Sequence, residues 1–302
     1  MSAEGAAGLP LRFGLFLGQG GKDWAQVRDE FQEAEALGYD VAYLIDHLTP
    51  TEGPDDEPIH EAWTLLAGLA LATSRIRIGV LVTSNTFRHP QVLLKQAVTV
   101  DHLSGGRLIL GIGTGWFAGE HQRYGLELPE PVERVDRFEE AVQLIDELMR
   151  AGAEGSRATF RGRHYRLDDA PLSPPPLQRP RIPLLIAAHR PRMLGIAARY
   201  ADIWDTFQTM EGTATEGVDE ALAGRLRRFE EAARAVGRDP LAIRRSTWAA
   251  SSDVETAEGW LTFCHSHVAI GFTDLLAPLT PDPAARRTIA EELMPQMRAE
   301  HG

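Results

Sequence analysis

The chain has 302 residues, 43% of them hydrophobic and 25% charged, a formal net charge of −12 and a single cysteine, Cys264. That length suits one enlarged α/β domain, and no apolar run approaches the ~20 residues a bilayer span needs, so no membrane role is expected. The acidic balance opposes nucleic acid, and a lone cysteine excludes an internal disulfide or a thiolate zinc cluster within one chain. A reducing, cytoplasmic setting and a small-molecule partner are the resulting expectations.

Residues 1–10 are small and mostly uncharged, without the basic and then apolar pattern of a signal peptide, and are expected to form a flexible leader. Leu11 to Leu17 predicts a strand, and Trp24 to Leu37 an amphipathic helix closed by Gly38. Tyr39 to Ile45 and the β-branched run Ile76 to Thr83 predict two more strands, with a helix over Ile59 to Ala72 between them. Pro90 suits the first turn of a helix whose apolar stripe runs from Val92 to Leu103, and Arg107 to Ile112 is the fourth strand. A long helix over Val132 to Met149 follows, then a small hairpin within Ala158 to Leu167 and a proline-rich connector, Pro171 to Pro183. Leu184 to Ala187, Asp202 to Thr206, Ile243 to Ala250 and Thr273 to Ala277 read as strands. Helices over Met193 to Tyr200, Leu222 to Val236, Thr256 to His267 and Ala284 to Arg298 separate and follow them.

Eight strand–helix alternations with near-continuous apolar strands predict an α/β fold of the (β/α)8 TIM-barrel class. Insertions are expected at its C-terminal mouth, with 1–302 as one domain. A doubly wound dinucleotide fold would place Gly-x-Gly-x-x-Gly after the first strand; here Gly111, Gly113 and Gly115 alternate at the fourth, and Trp116 stands where the third fingerprint glycine would be.

Three segments carry candidate chemistry. Asp46-His47 ends the second strand, where a titrating imidazole and a carboxylate could face a barrel mouth; a cap or loop contact is the alternative. Gly111 to Trp116 could admit a ligand against bare backbone beside a planar wall, or be a turn next to a core tryptophan. Ala187 to Arg192 joins a strand to a helix start, with Arg190 and Arg192 adding positive charge as at an anion site, or on a solvated surface. His60, His89, His121 and Glu120 lack the spacing of a metal centre, and none is expected.

In order, Phe13 to Leu17, Asp46-His47, Arg88-His89-Pro90, Asp101 to Arg107, Gly111 to Trp116 and Ala198 to Asp202 make the chain resemble the bacterial luciferase-like superfamily, in particular its coenzyme F420-dependent branch. The likeness runs from about Leu11 to Phe207. It implies a barrel that binds the deazaflavin F420, or FMN, at its mouth. Asp46 would bind the ring edge and His47 exchange a proton beside it. Leu81, Val82 and Thr83 fall on the bulge where the family often holds a non-proline cis peptide. Gly113, Thr114 and Gly115 match contacts to the coenzyme's polyol and phosphate, with Trp116 expected beside the coenzyme as a planar wall; Ala188, His189 and Arg190 match the phosphate loop, and Asp101 to Arg107 is scaffold.

The superfamily's sugar-phosphate dehydrogenases carry a Trp shortly after the Asp-His pair and a Glu after the glycines. This chain has Thr51 and Trp116 there, which favours a more apolar substrate. The implied activity is hydride transfer between F420 and a small organic substrate. An FMNH2-dependent monooxygenase using O2 is the alternative, and a non-catalytic flavin-binding protein a third reading. The family also implies a homodimer through the second and third helices.

Overall fold

In a computed structural model, which describes residues 9–51, 53–54, 56–207 and 218–301, the chain begins with strand β1 (Arg12–Phe16). Nearly all of the expected leader thus lies outside the described residues. Two compact units are apparent, one of Leu17–Glu35 and Ala42–Ala187, the other of Met1–Phe16, Ala36–Val41 and Ala188–Gly302.

The first unit runs through α1 (Trp24–Ala36), β2 (Val41–Leu44), α2 (Ala62–Ala72), β3 (Arg77–Val80), β4 (Thr83–Ser84), α3 (Pro90–Leu103) and β5 (Leu108–Gly113). It continues with α4 (Ala118–Tyr124), α5 (Pro131–Ala153), β6 (Arg157–Arg161), β7 (Arg166–Pro171) and β8 (Leu184–Ala187). Both β3 and β4 pair in parallel with β5, through Ile78 opposite Leu108 and Thr83 opposite Ile112, and β5 pairs with β8 through Leu110 opposite Leu184. Every residue of β5 is buried, as a parallel strand covered on both faces requires.

Local chemistry sets the helix ends. The Glu61 carboxylate caps α2 by accepting from the amides of Trp63 and Thr64, and Pro90 begins α3 where its missing N–H costs nothing. At the far end, Arg107 donates to the carbonyls of Ala70, Thr73, Ile76 and Ser104, stitching the exits of α2 and α3 together. Asp101, fully buried, accepts from the Leu177 and Gln178 amides and so anchors the proline-rich connector.

In the second unit, β9 (Ile203–Asp205), β10 (Arg244–Trp248), β11 (Asp274–Ala277) and β1 are successive parallel neighbours. The helices are α6 (Pro191–Tyr200), α7 (Val218–Ala235), α8 (Ala257–Ile270), α9 (Pro283–Thr288) and α10 (Met294–His301). Trp204 stacks on Phe229 at 4.3 Å, so β9 and α7 share an aromatic core. With β6 and β7 set aside as an antiparallel hairpin, the chain has the strand–helix alternation of a (β/α)8 barrel.

Some expected elements change. The run Ile76 to Thr83 is two strands broken at Leu81–Val82, whose peptide bond is cis. The strand expected to end at Ile112 runs on to Gly113, so that both Gly111 and Gly113 lie inside β5, for a steric reason. A Cβ on Gly111 would strike the backbone oxygen of Val80, and one on Gly113 would sit 2.7 Å from Val82 Cγ2. Gly115, at φ +81°, has the hydroxyls of Thr86 and Ser84 only 2.5 and 2.6 Å from where its Cβ would be. The glycines therefore let the broken strand lie flat on β5. The stretch between Trp116 and Val132, for which no element was expected, contains α4, and the last expected helix is α9 and α10 joined by a π-helical turn, Ile289–Leu293.

Two glycine substitutions separate sterics from backbone preference. Gly105, at φ +67°, has nothing within 4 Å of an added Cβ, so Gly105→Ala should cost only the left-handed backbone preference, about 1–2 kcal/mol. Gly111→Ala must push strands apart and should cost about 3 kcal/mol or more. Urea unfolding of both variants measures the difference.

Candidate active site

Asp46 and His47 leave β2 side by side and turn to different tasks. Asp46 is 4% exposed and spends its carboxylate within the protein. Its Oδ2 accepts from the Ser84 amide at 2.9 Å and from Arg88 Nη1 at 2.6 Å, and its Oδ1 accepts from Arg88 Nη2 at 2.9 Å. Arg88 also donates to Glu61, the cap of α2. Burial alone would disfavour the Arg88 charge, and the two carboxylates more than offset it, raising the guanidinium's pKa. Asp46 thus clamps the segment after the cis bond, where the expected role was contact with a coenzyme ring.

His47 is the more open of the two. Its Nδ1 lies 3.0 Å from Glu120 Oε1, while Glu120 Oε2 accepts from the Leu48 amide at 2.9 Å. Glu120 is almost wholly buried at the start of α4, so it fixes the imidazole from behind. The rings of Trp116 and Phe117 meet His47 edge-on, at 5.9 and 6.1 Å. Among the described residues Nε2 has no partner. With a carboxylate on Nδ1, the tautomer that places the proton on Nδ1 leaves Nε2 as an acceptor, and the protonated ring makes it a donor.

The expected coenzyme contacts fall into different environments. Thr83 is fully buried and accepts from Trp63 Nε1 at 3.2 Å, and Leu81 is buried too, so both belong to the interior. Val82 is half-buried at the bulge, as is Thr114 beyond β5. Trp116 is 64% exposed, which excludes the core-tryptophan alternative and leaves a bare aromatic plane beside His47. On the chain beyond β1, a Cβ on Gly20 would meet nothing within 4 Å, and one on Gly18 only Ile45 Cδ1 at 3.9 Å. Gln19 between them is fully buried, and its amide holds the backbone of Ile45 and His60. The buried Thr49 hydroxyl has no partner among the described residues. Open backbone, an orphaned hydroxyl and a free imidazole nitrogen between aromatic walls fit a planar, hydrogen-bonding ring system.

Ala188, His189 and Arg190 lie in the second unit. Ala188 is scaffold, its N–H donating to the Asp205 carbonyl and its own carbonyl accepting from Trp204 Nε1. His189 packs edge-on to Phe207 at 4.7 Å and meets Thr206 Oγ1 at 3.3 Å. Burial, with the Arg225 and Arg190 charges, holds its pKa down to about 4, so the ring is neutral at pH 7. Arg225 donates to Thr206 Oγ1 and to the Phe207 carbonyl, while its buried Nε has no partner among the described residues. Arg190 caps α6 without a side-chain bond. A helix start, two guanidinium groups and an orphaned donor suit an anion, and Arg225 is the less exposed of the two arginines. Sequence reasoning missed it because α7 gave no sign of which arginine turns inward.

Elsewhere His121 bonds Phe117 O and Thr86 Oγ1, and His89 packs against Tyr165. Among the described residues, only His265, Glu300 and His301, exposed on α8 and α10, bring three potential metal-ligand atoms within 4.8 Å of one another. No helix among the described residues is long and apolar enough to cross a membrane.

With this geometry in view, comparison with known proteins identifies the class. Residues 8–301 match the luciferase-like monooxygenase family, and the chain belongs to it. Its (β/α)8 fold is shared with an F420-dependent secondary alcohol dehydrogenase solved with an F420-acetone adduct, at a TM-score of 0.80 and 19% identity over 94% of this chain and 98% of that one. An F420-dependent glucose-6-phosphate dehydrogenase of Microbacterium testaceum is 35% identical over 64% of this chain and 56% of its own length. The pyrimidine monooxygenase RutA of Allorhizobium ampelinum is 33% identical over 69% of this chain and 55% of its own. The chain thus spans little more than half the length of these curated relatives.

The depressed His189 pKa gives a stability signature. Between about pH 6.5 and 4 the unfolded chain takes up a proton that the folded ring refuses, so stability present above pH 6.5 is lost as pH falls. Asp205, raised to about 7 mainly by its burial, acts in the opposite sense over the same window and cancels when His189→Gln is compared with the parent. Urea unfolding should show the parent losing about 3 kcal/mol more than the variant from pH 7 to 4.

Proposed function

We propose that this chain is an oxidoreductase of the F420-dependent branch, passing hydride between the deazaflavin and a small organic substrate. The observation that carries the proposal is His47, oriented by the buried Glu120 at 3.0 Å, with its other nitrogen free beside the exposed Trp116. The bound coenzyme would supply the two-electron hydride chemistry at its ring. His47 Nε2 would give or take the proton that balances the hydride, so that reduction of an unsaturated carbon–heteroatom bond adds one of each. Glu120 would hold the imidazole's orientation and steady its charge. Asp46 would act one step back, pinning the Leu81–Val82 bulge through Ser84 and Arg88 so that the ring has a fixed floor. Trp116 and Phe117 would exclude water from one side. In the second unit, Arg225, Arg190 and the N–H groups opening α6 would suit a phosphate.

The relatives named for F420 support this reading, and the pyrimidine monooxygenase supports a second one, reduced FMN with O2 in the same fold. Equilibrium titration with F420 and with FMN at one salt concentration, followed by turnover with the tighter coenzyme, separates the two. Submicromolar F420 binding with no incorporation of oxygen is the expected result; tighter FMN binding with oxygenated product reverses it, and failure to bind either removes both.

His47→Ala should retain coenzyme binding within about twofold and lower turnover about 100-fold or more, the size expected of a lost acid–base group. Loss of binding with unchanged turnover of the bound fraction would remove His47 from the chemistry. A homodimer through α2 and α3 is part of the same proposal, supported by Leu71, Val92 and Leu103, large apolar residues left exposed on those helices. Light scattering should give twice the 33.3 kDa chain mass, and Leu71→Glu should shift the protein towards monomer.

A further inference from the structure

The last helices of the second unit bring two imidazoles and a carboxylate to one surface. Helix α8 is seated by Trp260, Phe263, Cys264 and His267, all buried, and leaves His265 exposed. Helix α10 is seated by Met294 and Met297, both buried, while Arg298 donates to Asp40 Oδ2 at 2.9 Å and lies over the Phe13 ring. With those contacts fixed, Glu300 and His301 come to face His265. His265 Nε2 stands 3.2 Å from Glu300 Oε2, and His301 Nε2 stands 3.9 Å from the same oxygen. One ligand atom from each of the three lies within 4.8 Å of the other two.

An exposed imidazole–carboxylate pair is commonplace and by itself asks for no ligand. Two features go beyond it. The second imidazole shares the same carboxylate oxygen at 3.9 Å, too far for a hydrogen bond but within reach of a common ion. Gln296 Nε2, one turn back on α10, donates to Glu300 Oε1 at 2.8 Å, so the carboxylate is held with Oε2 towards the imidazoles. Metal-binding carboxylates are oriented by supporting hydrogen bonds of that kind. Ligand atoms bound at about 2.0–2.1 Å to a tetrahedral zinc ion stand about 3.3 Å apart, so His265 and Glu300 are already spaced for one. The exposed His301 ring closes the remainder by turning about its side-chain bonds. A proton in place of the ion would satisfy one imidazole and leave the other unanswered. The donor set also selects the ion: two imidazole nitrogens with one carboxylate oxygen suit zinc and its transition-metal neighbours, whereas magnesium and calcium take oxygen ligands.

We propose that His265, Glu300 and His301 form a binding site for a zinc-like divalent transition-metal ion that bridges α8 and α10, with water completing its coordination. The site lies wholly within the second unit, on residues with no part in the proposed coenzyme chemistry, and does not rest on that reading. Its ligands come from two helices whose other faces are packed, so the ion would act as a clamp. By binding only the docked arrangement it would hold α10 against α8 by mass action.

Calorimetric titration of the untagged full chain with zinc chloride, alone and in excess magnesium chloride, tests the site. One saturable zinc site of micromolar affinity that magnesium does not displace is expected. Absence of saturable zinc binding overturns the proposal, and displacement by magnesium does so by taking the imidazoles out of the ligand set. His265→Gln, Glu300→Gln and His301→Gln should each weaken zinc binding about tenfold or more, and circular dichroism confirms that each variant folds. Undiminished zinc binding by the folded His265→Gln variant would place the ion on α10 alone and overturn the bridge. Hydrogen exchange reads the clamp itself: zinc should slow exchange of the α10 amides at least about threefold in the parent and leave it unchanged in His265→Gln, whose altered residue lies on the other helix. Absence of slowing in the parent, or slowing that survives in the variant, would overturn the proposal.

Discussion

The broken strand after β3 must lie against β5 at a distance that no side chain permits, and much of the site follows from that close approach. Gly111, Gly113 and Gly115 clear the space on one side. On the other, the Asp46 carboxylate reaches across from β2 to the Ser84 amide and the Arg88 guanidinium. A tight backbone contact and a buried ion pair thus hold one short segment from two directions. Each needs the other: without the glycines the segment cannot approach β5, and without Asp46 the Ser84 amide would lose its acceptor and Arg88 would keep only Glu61 as a counter-charge.

That arrangement explains why neighbouring residues diverge. Successive side chains at a strand end point opposite ways. Asp46 therefore faces the segment it clamps, while His47 faces the rings of Trp116 and Phe117. Glu120 gives His47 a carboxylate of its own, so the imidazole is oriented without drawing on Asp46. Two adjacent residues are thus held by different partners, Asp46 by Arg88 and the Ser84 amide and His47 by Glu120.

The strand–helix alternation was legible because each parallel strand is a short run buried on both faces and most helices end at Gly, Pro or a capping residue. The glycine motif was legible as a motif but not in its purpose. Ligand approach and strand approach demand the same residue, and only the positions of Val80, Val82, Ser84 and Thr86 distinguish them. Glu120 was visible as a carboxylate, but α4 has seven residues and too little apolar periodicity to announce itself. Its meeting with His47 spans 73 positions in sequence, which no local pattern encodes. Arg225 was hidden for the same reason: arginine is abundant on helices, and only three-dimensional neighbours reveal that its bonds among the described residues go to Thr206 and Phe207 rather than to a carboxylate.

The same physical division shows which positions tolerate a change of side chain. Gly115 cannot accept a side chain, because its φ is +81° and two hydroxyls stand where the Cβ would be, whereas Trp116, the next residue, is 64% exposed and supports no core. A change at Trp116 alters the wall beside His47 at little cost to folding; a change at Gly115 dislodges the segment that Asp46 clamps. Thr51 is likewise exposed, in the segment following His47. Positions that determine what lies against the imidazole are thus decoupled from those that hold the broken strand against β5.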